Sequence, residues 1–349
     1  MKLLILLVSL VDSLLVVSWN VENFLDPKED TTGRHTAKRL QAKCSGIAKT
    51  IFIIAEKEGR LPDAVALMEV GNKRVLRKLL SDTPLRKLDY DIIHYDSPDR
   101  RGIDVALLYR SSVLELIDAK PCHLFDADTV MATRDILLCV FRRKESAPFA
   151  VLVNHHPSKY GGASESEPKR RIAVDRLRFL ADSLAAEGID RILAGGDFND
   201  TPDNPAFLRL EPALKPLHTA LFRRGEGTIK YDGKWSLIDH FYASPAMLEE
   251  NPSMRILRIP FLLTRDTAHS GEKPLRTYTG PRHAGGVSDH LPIIAIFSVS
   301  SQAKDDYEQK EEEGTSFGGR SGRDFRPVAD SSADGGAERF VRAAGGFAR

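Results

Sequence analysis

The stretch Ile192-Leu193-Ala194-Gly195-Gly196-Asp197-Phe198-Asn199-Asp200-Thr201-Pro202 constrains this chain more than any other. Its apolar start reads as a buried strand, Gly195 and Gly196 let the backbone turn closely, and Pro202 stops a sheet from continuing. Asp197 and Asn199 then stand at the strand's carboxyl end. Period-2 alternation points both side chains the same way, so one water or one phosphate oxygen could touch both. Taken alone, an Asx-rich turn explains the same residues more plainly. The weight therefore falls on whether other strands end in the same manner.

They do. The apolar run 14–19 ends at Asn20, Glu22 and Asn23. The run 64–70 carries Glu69 near its end, an acid that is expensive to bury unless it is paired or bound to a cation. Residues 90–94, 104–109, 113–119, 136–142, 149–154, 238–243 and 292–297 read as further short strands between polar or glycine-containing turns. Helices are expected over 38–58, closed by Gly59 and Pro62, and over 167–187, closed by Gly188. Strands and helices mix without strict alternation, and no solenoid-type repeat is present. That pattern favours α+β, with two sheets packed face to face, over a parallel doubly wound sheet.

The 349 residues carry 50 Lys and Arg against 49 Asp and Glu, so no global field argues for or against a polyanionic partner. Cys44, Cys122 and Cys139 form neither a C-x-x-C nor a cluster at zinc-ligand spacing, which argues against a disulfide framework or a zinc site. Residues 1–13 read two ways. Lys2 and the apolar run 3–11 suit a short signal peptide, giving a secreted or periplasmic protein, whereas a longer first strand leaves it cytoplasmic. The body is expected over 14–299, with no transmembrane segment and no stable protein partner, as a monomer. Past residue 300 the apolar periodicity gives way to Gly, Ser, Ala and charge, so 300–349 reads as a disordered tail.

The polar residues that close apolar runs are Asn20 and Glu22, Glu69, Asn154 and His155, Asp197 and Asn199, Asp239 and His240, and Ser288, Asp289 and His290. Each alone has a structural explanation. Together they exceed what stability needs, since an unsatisfied buried polar group costs about 1 kcal/mol or more. Oxygen donors without sulfur suit a hard cation such as Mg²⁺, and histidine beside carboxylate suits acid–base work. The combination describes metal-assisted hydrolysis of a phosphate ester.

The order Trp19-Asn20-Val21-Glu22, Met68-Glu69, Asn154-His155-His156-Pro157-Ser158, Gly196-Asp197-Phe198-Asn199, Leu237-Ile238-Asp239 and Ser288-Asp289-His290-Leu291-Pro292 resembles the endonuclease/exonuclease/phosphatase superfamily over residues 14–298. The resemblance implies a four-layered α/β sandwich with its site at one edge of the sheets. It implies Glu69 as principal Mg²⁺ ligand (Mn²⁺ or Ca²⁺ being the alternatives), with Glu22, Asn20 and Asp289 beside it. It further implies that Asp289 pairs with His290 against the scissile phosphate. Asp197 and Asn199 would activate and position water, with Asp197 the first choice of base and His155 the second. Asp239 would hold a histidine or the metal shell.

Asn20, Arg101 and Asn154 are the candidate substrate contacts, with Arg100-Arg101 offering a guanidinium fork to phosphate. His156 could add a second imidazole. Lys159, Lys169, Arg170 and Arg171 could form a basic rim beside Tyr160, although solvated helix charges account for them more simply. Ile238-Asp239-His240 departs from the inositol phosphatase branch, which disfavours it. The expected activity is a metal-dependent phosphodiesterase, most simply a nuclease acting on DNA or RNA. The alternatives are a phosphomonoesterase, a sphingomyelinase-like lipid phosphodiesterase or a catalytically idle binding module.

Overall fold

Strand β1, Leu14–Phe24, sets the pattern of the molecule because its side chains alternate between two apolar environments. In this computed structural model, which describes residues 13–297 except 31, 145, 160, 161 and 281, Leu15, Val17, Trp19 and Val21 face one core cluster. Leu14 and Val16 face another. Of the expected leader only Ser13 is described, and the expected tail lies outside the described residues.

The strand pairs in parallel with β2 (Ala64–Val70). With β3 (Tyr90–His94) and β4 (Asp104–Arg110) these build one half of the first sheet. The second six-stranded sheet contains β5 (Glu115–Cys122), β6 (Ile136–Arg142), β7 (Phe149–His155), β8 (Ile192–Asp197), β9 (Lys215–Pro216) and β10 (Asp239–Ala243). Two later strands, β11 (Ser253–Ile256) and β12 (Ile293–Phe297), return to complete the first. The orders are β11-β12-β1-β2-β4-β3 and β9-β10-β8-β7-β6-β5. Parallel pairing is confined to β1 with β2 and β7 with β8, so both sheets are mixed.

Helices cover the two outer faces. Helix α1 (Ala37–Glu58) is capped by the Thr36 side chain and ends at Gly59 in the left-handed region, φ 69°. Its Leu40, Cys44, Ile47, Ile51 and Ile54 recur at three- and four-residue spacing and pack on the first sheet, as does α2 (Lys73–Ser81) through Val75, Leu76 and Leu79. Helix α3 (Ala163–Ala186) lays Val174, Leu177, Ala181 and Leu184 on the second sheet. Between the sheets lies a dry layer that includes Met68, Leu107, Phe141, Val151, Val153, Phe241 and Ile293. The result is the helix–sheet–sheet–helix sandwich expected from the sequence, with the three cysteines buried and unbonded.

Several boundaries move. Gly195 and Gly196 do not form the turn; they lie inside β8, which continues to Asp197. A Cβ on Gly195 would overlap the Phe241 ring, and one on Gly196 would overlap the Asn154 carbonyl, so close strand approach is what selects glycine here. The polar residues 20–23 likewise belong to β1 itself, which runs on to Phe24.

Candidate active site

Strand alternation decides which polar residues meet. On β7, Val151 and Val153 face the layer between the sheets while Ala150 and Leu152 face α3. His155 therefore points inward, and Asn154 points to the helix side. The same parity puts Asp197 and Asp239 inward, with Leu193 and Phe241, and sends His240 outward with Tyr242. From the opposite sheet, Asn20 points inward on β1. Its amide Nδ2 donates to Asp197 Oδ2 at 3.0 Å, a direct bond between the sheets.

Irregular backbone aims the remaining acids. Glu22, Asn23, Glu69 and Asn199 all have positive φ, at 46°, 50°, 63° and 52°. The β1–β2 register shifts between Asn20 and Phe24, and the β2–β4 register shifts between Met68 and Val70. Such bulges redirect side chains at the cost of local strain. Here they turn Glu22 and Glu69 into a cavity of about 650 Å³ that also meets Asn20, His155, Asp197, Asn199, Asp289 and His290.

His290 is the electrostatic centre. Its Nδ1 lies 2.8 Å from Asp239 Oδ2 and its Nε2 lies 3.9 Å from Asp197 Oδ2. Burial alone would lower its pKa, but Asp239 and Asp197 hold it well above the usual imidazole value. Asp239 is steadied in turn by the Thr228 hydroxyl. Ser288 fixes the turn by donating to Asn20 O at 2.6 Å and accepting from His290 N at 2.9 Å, while Trp19 donates its indole N–H to His290 O at 2.9 Å. The sequence reading gave the pairing role to Asp289. Instead its Oδ2 takes Arg276 Nη2 at 2.6 Å, and Asp239 on the other sheet orients the imidazole.

Asp197 is fully enclosed, and burial pushes its pKa up to about 7 even though His290 opposes the shift. Its Oδ1 accepts the Asn199 backbone N–H at 2.9 Å, and His155 Nε2 stands 3.7 Å from Oδ2. Burial, reinforced by Arg134 and Arg101, drives the His155 pKa well below normal, so this imidazole is neutral. A neutral histidine beside a carboxyl poised near neutrality can help hold a water and pass on its proton.

Three acids face the cavity as candidate cation ligands: Glu22, Glu69 and Asp289. Burial and the neighbouring Asp289 raise Glu22 to about 7, a sign of crowded negative charge that a hard divalent cation would relieve. The donor set is all oxygen, which fits such an ion. The three carboxylates do not yet converge. Among the described residues the groups with donor atoms within 4.8 Å of one another are Asp197, Asp239 and His290, and His94, Asp96 and Asp104. Arg276 pairs with Asp289 and stands 3.8 Å from Glu22, and the Asn23 backbone N–H donates to Glu69 Oε2 at 2.7 Å. The buried Asp197–Asp239–His290 group is itself charge-compensated by the imidazolium.

Two sequence candidates fall outside this cavity. Asn154 is buried, donates to Leu152 O at 2.9 Å and does not line the cavity, a consequence of its strand parity. The His156 imidazole supplies no second catalytic ring; it packs 4.6 Å from Phe198, and burial lowers its pKa to about 3. Arg101 does line the cavity, its backbone N–H bonded to Asp99 Oδ1 at 2.8 Å. Of the expected basic rim, Lys169 reaches the cavity, Lys159 and Arg170 pair with Asp200, and Tyr160 lies outside the described residues.

Sequence reasoning missed Arg134 and Thr133. Arg134 is buried, with Nη1 on Asp99 at 3.1 Å and Nη2 on the His156 carbonyl, while its Nε and the Thr133 hydroxyl, at the cavity wall, have no partner among the described residues. It also missed Lys43, buried beneath Glu22 and bonded to the Glu22 carbonyl and to Thr277 Oγ1. An apolar run followed by Thr-Arg-Asp was the one available signal for Arg134.

A carboxylate set facing a histidine–aspartate pair across one cavity has the parts that phosphate-ester hydrolysis uses. The chain belongs to the Endonuclease/Exonuclease/phosphatase family, whose pattern matches residues 15–298. Solved structures agree on the fold. Zebrafish TDP2 with a single-strand DNA product superposes with a TM-score of 0.53 at 13% identity, covering 82% of this chain and 99% of that one. The human Nocturnin catalytic domain with bound sulfate gives 0.54 at 17%, covering 82% and 95%. Mannosyl-6-phosphatase from Bacteroides thetaiotaomicron gives 0.54 at 16%, covering 82% and 100%. Comparison with curated proteins gave no match. Among the described residues no helix is long and apolar enough to cross a membrane.

Proposed function

We propose that this protein is a divalent-metal-dependent phosphodiesterase acting on nucleic acid. The observation that carries the reading is the pairing of His290 with Asp239 across the cavity from Asp197, with Glu22, Glu69 and Asp289 in the same walls. Glu69, Glu22 and Asp289 would hold Mg²⁺, which when bound supplies positive charge to the phosphoryl oxygens.

The chain's own residues account for the rest. His290, kept protonated by Asp239, presents Nε2 to the scissile phosphate and stabilises its charge as the transition state forms. Asp197 takes a proton from the attacking water, and Asn199 helps fix that water. The new P–O bond forms as the ester P–O bond opposite it breaks, and the departing alkoxide is protonated from solvent. Neutral His155 borders the water position, and Arg101 and Lys169 add charge at the rim. The DNA product on TDP2 lends analogy to a nucleic-acid substrate. The name of the mannosyl-6-phosphatase keeps a small phosphomonoester as the second reading.

The test is hydrolysis by the full chain with Mg²⁺, with and without EDTA, of double- and single-stranded DNA, RNA, bis-p-nitrophenyl phosphate, mannose 6-phosphate and sphingomyelin. Glu69→Ala and His290→Ala serve as controls. Cleavage of DNA or RNA that stops with chelation and in both variants supports the proposal. Turnover of a monoester or lipid alone would replace it.

A further inference from the structure

Beside the main cavity, and sharing Glu22, Asn23 and Arg276 with it, lies a second pocket of about 270 Å³. Its other walls come from Arg34 and His35, just before α1, and from Tyr278 and Gly280 in the small hairpin that follows Arg276. We propose that this pocket is a subsite for a second phosphate of the substrate, next to the one that is cleaved. The proposal deepens the phosphodiester reading above and rests on it.

Three observations lead there. First, the pocket holds an uncommitted cation beside Arg276, which is already paired with Asp289. The Arg34 guanidinium has no hydrogen bond or ion pair among the described residues, although its backbone carbonyl is held by the Arg39 side chain and by Tyr278 Oη at 3.1 Å. Its backbone is thus tied down while its charged end is left open. Second, the acid in the wall is held in place by hydrogen bonds. Glu22 Oε2 accepts Thr277 N–H at 2.6 Å, its Oε1 accepts Tyr278 N–H at 3.2 Å, and Arg276 stands 3.8 Å away. Third, the aromatic side is braced. Tyr278 Oη lies 3.2 Å from His35 Nδ1, and the Tyr278 ring meets His35 edge-on at 5.3 Å and His283 at 5.4 Å.

Burial lowers the His35 pKa, with Asp30 pulling it up and Lys43, Arg39 and Arg34 pulling it down. Arg276 belongs to both pockets, so a substrate with two phosphates can meet one guanidinium from both sides. A polymeric phosphodiester carries a second phosphate next to the scissile one; an isolated ester does not.

The experiment compares dinucleoside monophosphates with and without an added terminal phosphate at either end, using the full chain and Mg²⁺. The added phosphate at one end is expected to raise kcat/KM by about tenfold or more, consistent with a charged hydrogen bond. In Arg34→Gln that gain should shrink to less than about twofold, and Arg34→Lys should keep part of it. Equal kcat/KM with and without the phosphate in the unmodified protein would overturn the subsite, as would a gain undiminished in Arg34→Gln.

Should no dinucleotide be cleaved while another phosphate ester is, the phosphodiester reading has failed and the pocket is judged by binding. Inorganic phosphate is then titrated calorimetrically into the metal-free protein, Arg34→Gln and Asp197→Asn, with circular dichroism confirming the fold of each. Binding that survives in Asp197→Asn and disappears in Arg34→Gln upholds the subsite, and any other pattern overturns it.

Discussion

Asp239 opens β10 of the second sheet and His290 lies in the segment leading into β12 of the first, and they meet with Oδ2 and Nδ1 2.8 Å apart, so the pair exists only when the two sheets are packed. Asp239→Asn keeps the shape and removes the charge. The expected result is a loss in kcat of about 10²–10⁴-fold, together with a change in the pH profile. Asp239 and Asp197 hold the imidazole protonated well above its ordinary range against the effect of burial. Without Asp239 the basic limb of kcat/KM moves to lower pH. A residue acting only on stability would lower the whole profile and leave its limbs in place.

The acid limb belongs to Asp197, which must be ionised to accept a proton. Because burial raises it to about 7, activity should climb with pH through neutrality. Asp197→Asn should remove that limb along with most of the rate, measured as kcat/KM between pH 5 and 9.

Metal binding has a readout free of turnover. A ligand at about 100 times its Kd stabilises the fold by about 2.7 kcal/mol. Mg²⁺ should therefore raise the melting temperature by several degrees, and EDTA should reverse it. Glu69→Gln should abolish the shift, whereas a full shift in that variant would remove Glu69 from the ligand set.

Acid should weaken the fold through three histidines behind the second sheet. His218 and His240 stack at 4.3 Å, and His240 lies 5.1 Å from Phe198, which also meets His156 at 4.6 Å. Burial lowers His156 to about 3, His218 to about 4 and His240 well below normal. Between pH 6.5 and 4 the unfolded chain takes up protons that the folded chain refuses, so stability is full above 6.5 and falls as pH drops. The slope is about 1.4 kcal/mol per pH unit for each histidine. Urea unfolding at pH 7 and pH 5 measures it, and His156→Leu should flatten it.

Gly196→Ala should be among the most damaging single changes. It adds a methyl group where the Asn154 carbonyl already sits, at φ 149°, one residue before Asp197. A loss on the order of 3 kcal/mol or more is expected. Gly188→Ala meets open space at φ 84° and should cost only about 1–2 kcal/mol, which thermal unfolding of the two variants can separate.

The fold was legible because apolar runs with inward and outward alternation announce strands, and because those runs ended in acids, amides and imidazoles. Helix α2 was not, because at nine residues it is short, although Val75, Leu76 and Leu79 recur at helical spacing among its charges. Within the site, residues on β7, β8 and β10 could be placed by parity once strand limits were known. Asn154 was misplaced for want of that parity. Arg134, Arg276 and Lys43 were invisible for another reason. A cation in a loop or on a helix reads as solvated, and only tertiary contact reveals that Arg134 is buried or that Arg276 bridges two acids.

The dry layer between the sheets has a consequence beyond stability. Asn20 rides on one sheet, with Ser288 and His290 in the segment that leads into its strand β12, and His155, Asp197 and Asp239 ride on the other, so the thickness of that layer is the gauge of the catalytic gap. Side chains such as Met68, Val153, Phe241 and Ile293 act as spacers in a calliper. Trimming one by a methylene can leave the protein folded and still detune its chemistry, so selection on the rate reaches residues that never meet the substrate.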